Sequence, residues 1–248
     1  MAVTSLDMPP KRKGVSGVTT KEEDVVEHLF TTTTHSDLLF FTTRGRVFQL
    51  KAYDIPQTSR TAKGQAIVNF LQLSPEEKIS SVLSLADLGD FKFFTMVTTH
   101  GVIKKVDIKD FSAVRRSGLI AVKLKGDDQL KWVKPSTGSD EITLVTSNGQ
   151  AIRFKEKVIR SMGRNAAGVR GIRLKGADRV VGMDVIDPNL IKNFQLFVIA
   201  ENGLGKRTPL AQYRLQGRGG SGIKTAKITA KTGKIIGAYV VNAQDERD

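Results

Sequence analysis

Cysteine is absent from the 248 residues, which excludes disulfides, thiolate nucleophiles and thiolate zinc sites. No apolar run approaches the roughly 20 residues that cross a bilayer, and the N-terminus has no apolar leader core. A soluble, cytoplasmic chain without a membrane partner is the expectation. Aromatic residues are scarce, at 6%, which disfavours stacking on unpaired bases. Acid is also in short supply: 25 Asp+Glu stand against 39 Lys+Arg, a net charge of +14. Such an excess favours polyanions. An anionic membrane surface is a poor fit, because no long basic amphipathic helix is present.

What the chain has in quantity is a repeat. Glycines preceded by basic residues recur as Gly14, Gly64, Gly118, Gly168 and Gly222, at intervals of 50, 54, 50 and 54 residues. Between them run Arg44-Gly45, His100-Gly101, Asn148-Gly149 and Asn202-Gly203. Two interleaved series at one period mean a supersecondary unit copied in succession. Each polar-Gly turn is flanked by short apolar runs, such as 38–41 before Gly45 and 151–154 after Gly149, the form of a β-hairpin. A third run follows each glycine loop, at 67–70, 121–124, 171–174 and 223–226. A fourth follows at 79–83, 130–133, 180–183 and 235–240.

Four strands per fifty residues predict an all-β chain, a β-propeller of four-stranded blades in about five units. A β-sandwich has similar turn density but no reason for the copying. Residues 1–10 carry no strand pattern and are expected to be a disordered or cloning-derived tail, with 11–248 forming one domain. Five glycine loops but four hairpin turns suggest a fragment cut inside a unit, with a ring that lacks a blade or stays open.

The charge follows the repeat. The windows 44–64, 101–118, 149–171 and 203–224 hold 21 basic and 4 acidic residues, whereas the other 164 residues hold 18 and 21. Solvated loops of mixed sign would not segregate in this way. If the copies are related by rotation, the basic windows form a track along one edge. A track of this kind holds a phosphate backbone by counterion release without reading sequence. With so few aromatics, duplex DNA is the expected ligand. The candidate contacts are Lys11, Arg12, Lys13, Arg44, Arg46, Arg60, Lys63, Lys104, Lys105, Arg115, Arg116, Arg153, Arg164, Arg170, Lys206, Arg207, Arg214, Arg218 and Lys224.

The loop Gln216-Gly217-Arg218-Gly219-Gly220-Ser221-Gly222 satisfies the dinucleotide pattern formally but lacks the following helix. Consecutive glycines instead allow backbone amides to approach phosphate, with Arg218 adding charge. Gly203-Leu204-Gly205-Lys206-Arg207-Thr208 lacks the first glycine of a phosphate loop. His28, His35 and His100 have no partners at metal-ligand spacing, and no nucleophile–base set emerges.

Phe41-Thr42-Thr43-Arg44-Gly45-Arg46-Val47, Arg60-Thr61-Ala62-Lys63-Gly64, Met162-Gly163-Arg164-Asn165-Ala166-Ala167-Gly168-Val169-Arg170-Gly171-Ile172 and Gly205-Lys206-Arg207-Thr208 resemble the C-terminal domain of the DNA gyrase A subunit. Glu23-Asp24-Val25-Val26-Glu27-His28-Leu29 fits the same family near its first blade. The resemblance covers nearly all of residues 11–241. It implies a propeller, usually of six blades, that wraps duplex DNA around a basic rim and thereby biases strand passage toward negative supercoiling. It also implies partners: the remainder of the A subunit, with the gyrase B subunit. The fragment itself would be non-catalytic and without a cofactor, ATP and magnesium acting elsewhere in a nucleoid-associated enzyme.

The family's defining first-blade loop reads roughly Gln-Arg-Arg-Gly-Gly-Lys-Gly. Here that place reads Lys11-Arg12-Lys13-Gly14-Val15-Ser16-Gly17, which keeps Gly14, Gly17 and the charge. The loop at 216–222, with Gly219, Gly220 and Gly222, matches the pattern better. The alternatives are a protein-binding propeller and the topoisomerase IV A subunit.

Overall fold

A computed structural model describes residues 29–58, 64–114 and 117–244. The expectations for Lys11, Arg12, Lys13, Gly14, Gly17, Arg60, Lys63, Arg115 and Arg116 lie outside the described residues, as does the 1–10 tail.

Each hairpin forms where alternating and continuous apolar runs flank a Gly turn. The pairs are β1 (Asp37–Thr42) with β2 (Arg46–Lys51), β4 (Phe93–Thr98) with β5 (Val102–Asp107), β8 (Glu141–Thr146) with β9 (Gln150–Lys155), and β12 (Phe194–Ala200) with β13 (Gly205–Pro209). Gly45, Gly101, Gly149 and Gly203 adopt φ between +73° and +79°, a region that only glycine enters without strain. In three turns a threonine hydroxyl accepts the amide just past the glycine: Thr42 from Arg46, Thr98 from Val102, and Thr146 from Gln150.

Strands β3 (Ile79–Ser84), β7 (Leu130–Ser136), β11 (Val180–Ile186) and β15 (Ile235–Asn242) pair with the first strand of each hairpin. These strands neighbour one another in chain order. Val133 N donates to Ser81 Oγ at 3.1 Å, Lys134 pairs with Asp184, and Val240 N donates to Asp184 Oδ2 at 2.8 Å. They are the inner strands of successive blades.

The outer edge departs from expectation in an informative way. The segments after the glycine loops give only the two-residue strands β6 (Leu119–Ile120), β10 (Val169–Arg170) and β14 (Ile223–Lys224). Each leaves its own unit and pairs with the preceding one, so the sheet orders are β3-β1-β2-β6, β7-β4-β5-β10, β11-β8-β9-β14 and β15-β12-β13. Every fourth strand is thus donated by the next unit, and the last sheet has three. Past the donated pair the chain cannot stay extended, because it wraps around the neighbouring turn. Ala121 N and Val122 N both donate to Gly45 O, Gly171 N to Gly101 O, and Thr225 N to Gly149 O. The expected strand at 67–70 is instead a 3₁₀ turn, Ile67–Asn69.

The apolar runs of the first three hairpins are continuous because both faces of their sheets are covered, whereas β12 in the last sheet alternates in burial. Leu39, Phe41 and Val47 pack against Phe94, Met96 and Phe111 between the first two sheets. There Phe41, Phe94 and Phe111 meet edge to face, with centroids 5.4–5.9 Å apart. Val97 and Ile103 meet Leu144 and Phe154 between the next two sheets. Val145 and Ala151 meet Leu196 and Val198 between the last two. The remaining face of the first sheet, with Leu38, Phe40 and Phe48, is closed by Ile67 and Leu71. Among the described residues, no helix is long and apolar enough to cross a membrane.

Candidate nucleic-acid interface

Because each unit donates its post-glycine strand backwards, the glycine loops overlap along the outer edge. Loop to loop, the same bonds recur at the repeat interval. Lys123 N donates to Ala166 O at 3.3 Å, and Arg173 N donates to Gly220 O at 2.8 Å. Gly219 N donates to Gly171 O at 2.7 Å, and Arg218 Nη1 donates to Arg170 O at 2.6 Å. Gly222 (φ +75°) lies so close to the third sheet that an added Cβ would sit 2.5 Å from Ala151 O. Its glycine is required by the loop's contact with the sheet. Gly219 also needs its left-handed φ of +81°, but Gly219 and Gly220 have no heavy atom within 3.4 Å of an added Cβ.

This stacking brings cations to equivalent places. Arg160 and Arg214, Arg170 and Lys224, and Arg173 and Lys227 are pairs separated by 54 residues, and all six are exposed. Arg164 and Arg218 form a fourth, partly buried pair. Between the Gly118 and Gly168 loops lies a half-open groove of about 590 Å³, lined by His100, Lys123, Lys125, Arg170, Arg173 and Asp128 among others. Asp128 Oδ1 is occupied with Thr99 Oγ1 and the amides of His100 and Gln129. Its carboxylate therefore holds the turn, and the groove presents mainly cations.

Of the expected contacts, Arg44, Arg170, Lys206, Arg207, Arg214 and Lys224 are exposed. Arg44 also donates to Pro75 O at 3.0 Å, and Arg207 lies over the Phe197 ring. Three expected contacts are corrected: Lys104, Lys105 and Arg153 are 1%, 5% and 8% exposed and cannot meet a ligand at the edge. They sit on central hairpin strands with a blade on either side. Lys105 pairs with the buried carboxylate of Glu156 at 3.4 Å, and Arg153 pairs with Glu141 at 3.5 Å. Arg46 is half-committed as well, since Nε and Nη2 both bond Glu77, at 3.0 and 2.5 Å. Burial alone would raise the Glu77 pKa. The bonds from Arg46, Thr42 and Ser74 N outweigh burial and lower it to about 2.

Sequence reasoning missed Arg160, inside a charge window, and Lys123, Lys125, Arg173, Lys175 and Lys227, just past the windows, all six exposed. The charge windows closed a few residues too early. The signal was present in Val122-Lys123-Leu124-Lys125-Gly126 and Ile172-Arg173-Leu174-Lys175-Gly176, one motif copied at the repeat interval.

The family model described as DNA gyrase C-terminal domain, beta-propeller, matches residues 9–33, 36–86, 93–137, 140–187 and 195–242. The A subunit of DNA gyrase from Staphylococcus epidermidis is 41% identical over 235 residues, and that from Staphylococcus aureus is 42% identical; each match covers 94% of this chain. The chain spans about a quarter of those relatives, 26% of their length. Among solved structures, the C-terminal domain of DNA topoisomerase IV aligns at TM-score 0.76 and 30% identity, covering 84% of this chain and 64% of the other. The DNA gyrase A C-terminal domain aligns at TM-score 0.70 and 25% identity, covering 85% and 67%.

Proposed function

The chain belongs to the DNA gyrase C-terminal domain family, and on that footing we propose that it bends and wraps duplex DNA along its outer edge. The observation that carries this reading is the recurrence of exposed cations at equivalent positions of successive loops: Arg160 with Arg214, Arg170 with Lys224, and Arg173 with Lys227. Equivalent positions on rotated blades give a curved row, which matches a bent phosphate backbone and is indifferent to base sequence. Smooth bending of 20–30 base pairs costs on the order of 1–6 kcal/mol, offset by phosphate contacts along the row. Within the whole enzyme, the wrap would hand a DNA segment to a cleavage core with fixed handedness. Strand passage, ATP and magnesium would belong to other parts of the A subunit, or to its partner the B subunit, in the cytoplasm.

Affinity for random-sequence duplex, measured against salt, tests the binding. With roughly eight phosphates neutralised, the log–log slope is about −7. Replacing Arg170, Arg173, Lys224 and Lys227 together with Glu should abolish binding while the circular dichroism spectrum is kept. Retained affinity in that variant would overturn the edge as the binding surface.

The likeness to the C-terminal domain of DNA topoisomerase IV supports a second reading, a domain of that enzyme's A subunit, whose exposed edge would bind duplex without biasing its topology. Ligating nicked circles with the protein bound separates the two. A shifted linking number supports wrapping, and an unshifted one supports the alternative.

A further inference from the structure

Counted from the hairpin glycine, Phe48, Lys104, Ile152 and Lys206 occupy the same position in four units. In three of them the side chain faces the loop arriving from the next unit. Phe48 lays its ring against Gly118, where an added Cβ would meet it at 2.7 Å, and Ile152 lies beside Gly220. Apolar contact suffices in those two places. Lys104 stands against Gly168 in the same way, yet it carries an ammonium into a site that is 1% exposed. Among the described residues it has no carboxylate within ion-pair distance. Its Nζ donates to Ala121 O at 2.8 Å and also to Arg164 O. Lys206, with no following loop in the described residues, reaches only the equivalent carbonyl, Thr225 O, at 3.4 Å and stays exposed.

Desolvating an ammonium is costly, and its neighbours show that packing alone does not require one. What the lysine adds is a bond to a carbonyl on each of two successive rim segments. We propose that Lys104 is a positioning residue, a latch that fixes the Arg164-bearing loop against the segment that carries Lys123. The cations on both segments are then set in place before a polyanion arrives, which lowers the ordering cost of binding. The inference rests on the duplex-wrapping reading above.

Lys104→Met keeps the stem and removes the donor. Amide exchange over residues 162–168, followed by mass spectrometry without DNA, should rise roughly tenfold, with no rise over 216–222. Duplex affinity should fall roughly two- to tenfold, and Lys104→Arg should restore part of the protection. Unchanged exchange in a folded Lys104→Met protein overturns the latch. Raised exchange with unchanged affinity leaves the latch standing and overturns its part in presetting the cations, while the edge itself is judged by the Arg170, Arg173, Lys224 and Lys227 variant. If the Met variant does not fold, nitrogen-15 lysine spectra of the unaltered protein decide. One slowly exchanging ammonium coupled to two carbonyls supports the latch, and rapid exchange of every lysine overturns it.

Discussion

At the scale of single residues, two buried charges, Glu77 and Lys104, tie the fold to pH for different reasons. Glu77 is fully buried beneath Arg46 and held at about 2. A depressed carboxylate stabilises the fold above its unfolded pKa, near 4.5, and that stability is lost as pH falls toward 2. The shift corresponds to about 3 kcal/mol. Glu77→Gln should therefore lower the urea midpoint at pH 7, and the gap to the unaltered protein should close as titration approaches pH 2. The Lys104 pKa is lowered too, but there the charged form is the disfavoured one. Burial pulls its pKa down to about 8, with Arg164 adding to the effect and Asp110 opposing it. Between pH 8 and 10.5 the unfolded chain holds the extra proton, so stability rises with pH. Relative to Lys104→Met, the unaltered protein should gain up to about 3 kcal/mol over that interval, measured as paired unfolding curves.

The burial of these cations was only half legible. Lys104-Lys105 are adjacent in a strand, and period-two alternation requires one of them to face inward. The pattern could not say that both would be enclosed. That enclosure depends on a loop sixty residues later, whose Arg164 carbonyl receives Lys104.

At the scale of elements, the glycines of the hairpin turns divide into filled and unfilled seats. An added Cβ at Gly149 would lie 2.4 Å from Ala226 O, on top of a φ of +74°, whereas Gly203 at +79° has nothing within 4 Å. Gly203→Ala carries only left-handed strain, about 1–2 kcal/mol. Gly149→Ala adds a backbone collision and should cost more than about 3 kcal/mol, read as paired shifts in urea midpoint. The hairpins themselves were legible because strand, turn and strand lie within some fifteen residues. The destination of the post-glycine strands was not. A run such as 223–226 looks the same whether it joins its own sheet or pairs, as β14 does, with Ala151 and Gln150 of the preceding unit. Its short length follows from the turn it must wrap, which involves another part of the chain.

At the scale of the molecule, the excess charge resolves into interior pairs and an exposed edge. The net +14 overstates neither part, because Lys105 and Arg153 are balanced by Glu156 and Glu141. The duplex should therefore respond to edge variants and not to those two. Arg173→Glu with Lys227→Glu should flatten the salt slope by about two units or more, measured by fluorescence anisotropy across a salt series. The propeller was legible from the interval between glycines, and so was the sign of its rim. The particular cations were less so, since Lys123 and Lys227 lie just past the glycines that marked the loops.

The backward donation of β6, β10 and β14 also sets a timetable for synthesis. On a ribosome each sheet must wait, with an open border, until the following repeat has emerged. The third sheet gains its last strand only once Lys224 is outside the exit tunnel. Maturation thus trails translation by most of a repeat, and a stall just short of a glycine loop would leave an unsealed border free to capture a strand from a neighbouring nascent chain.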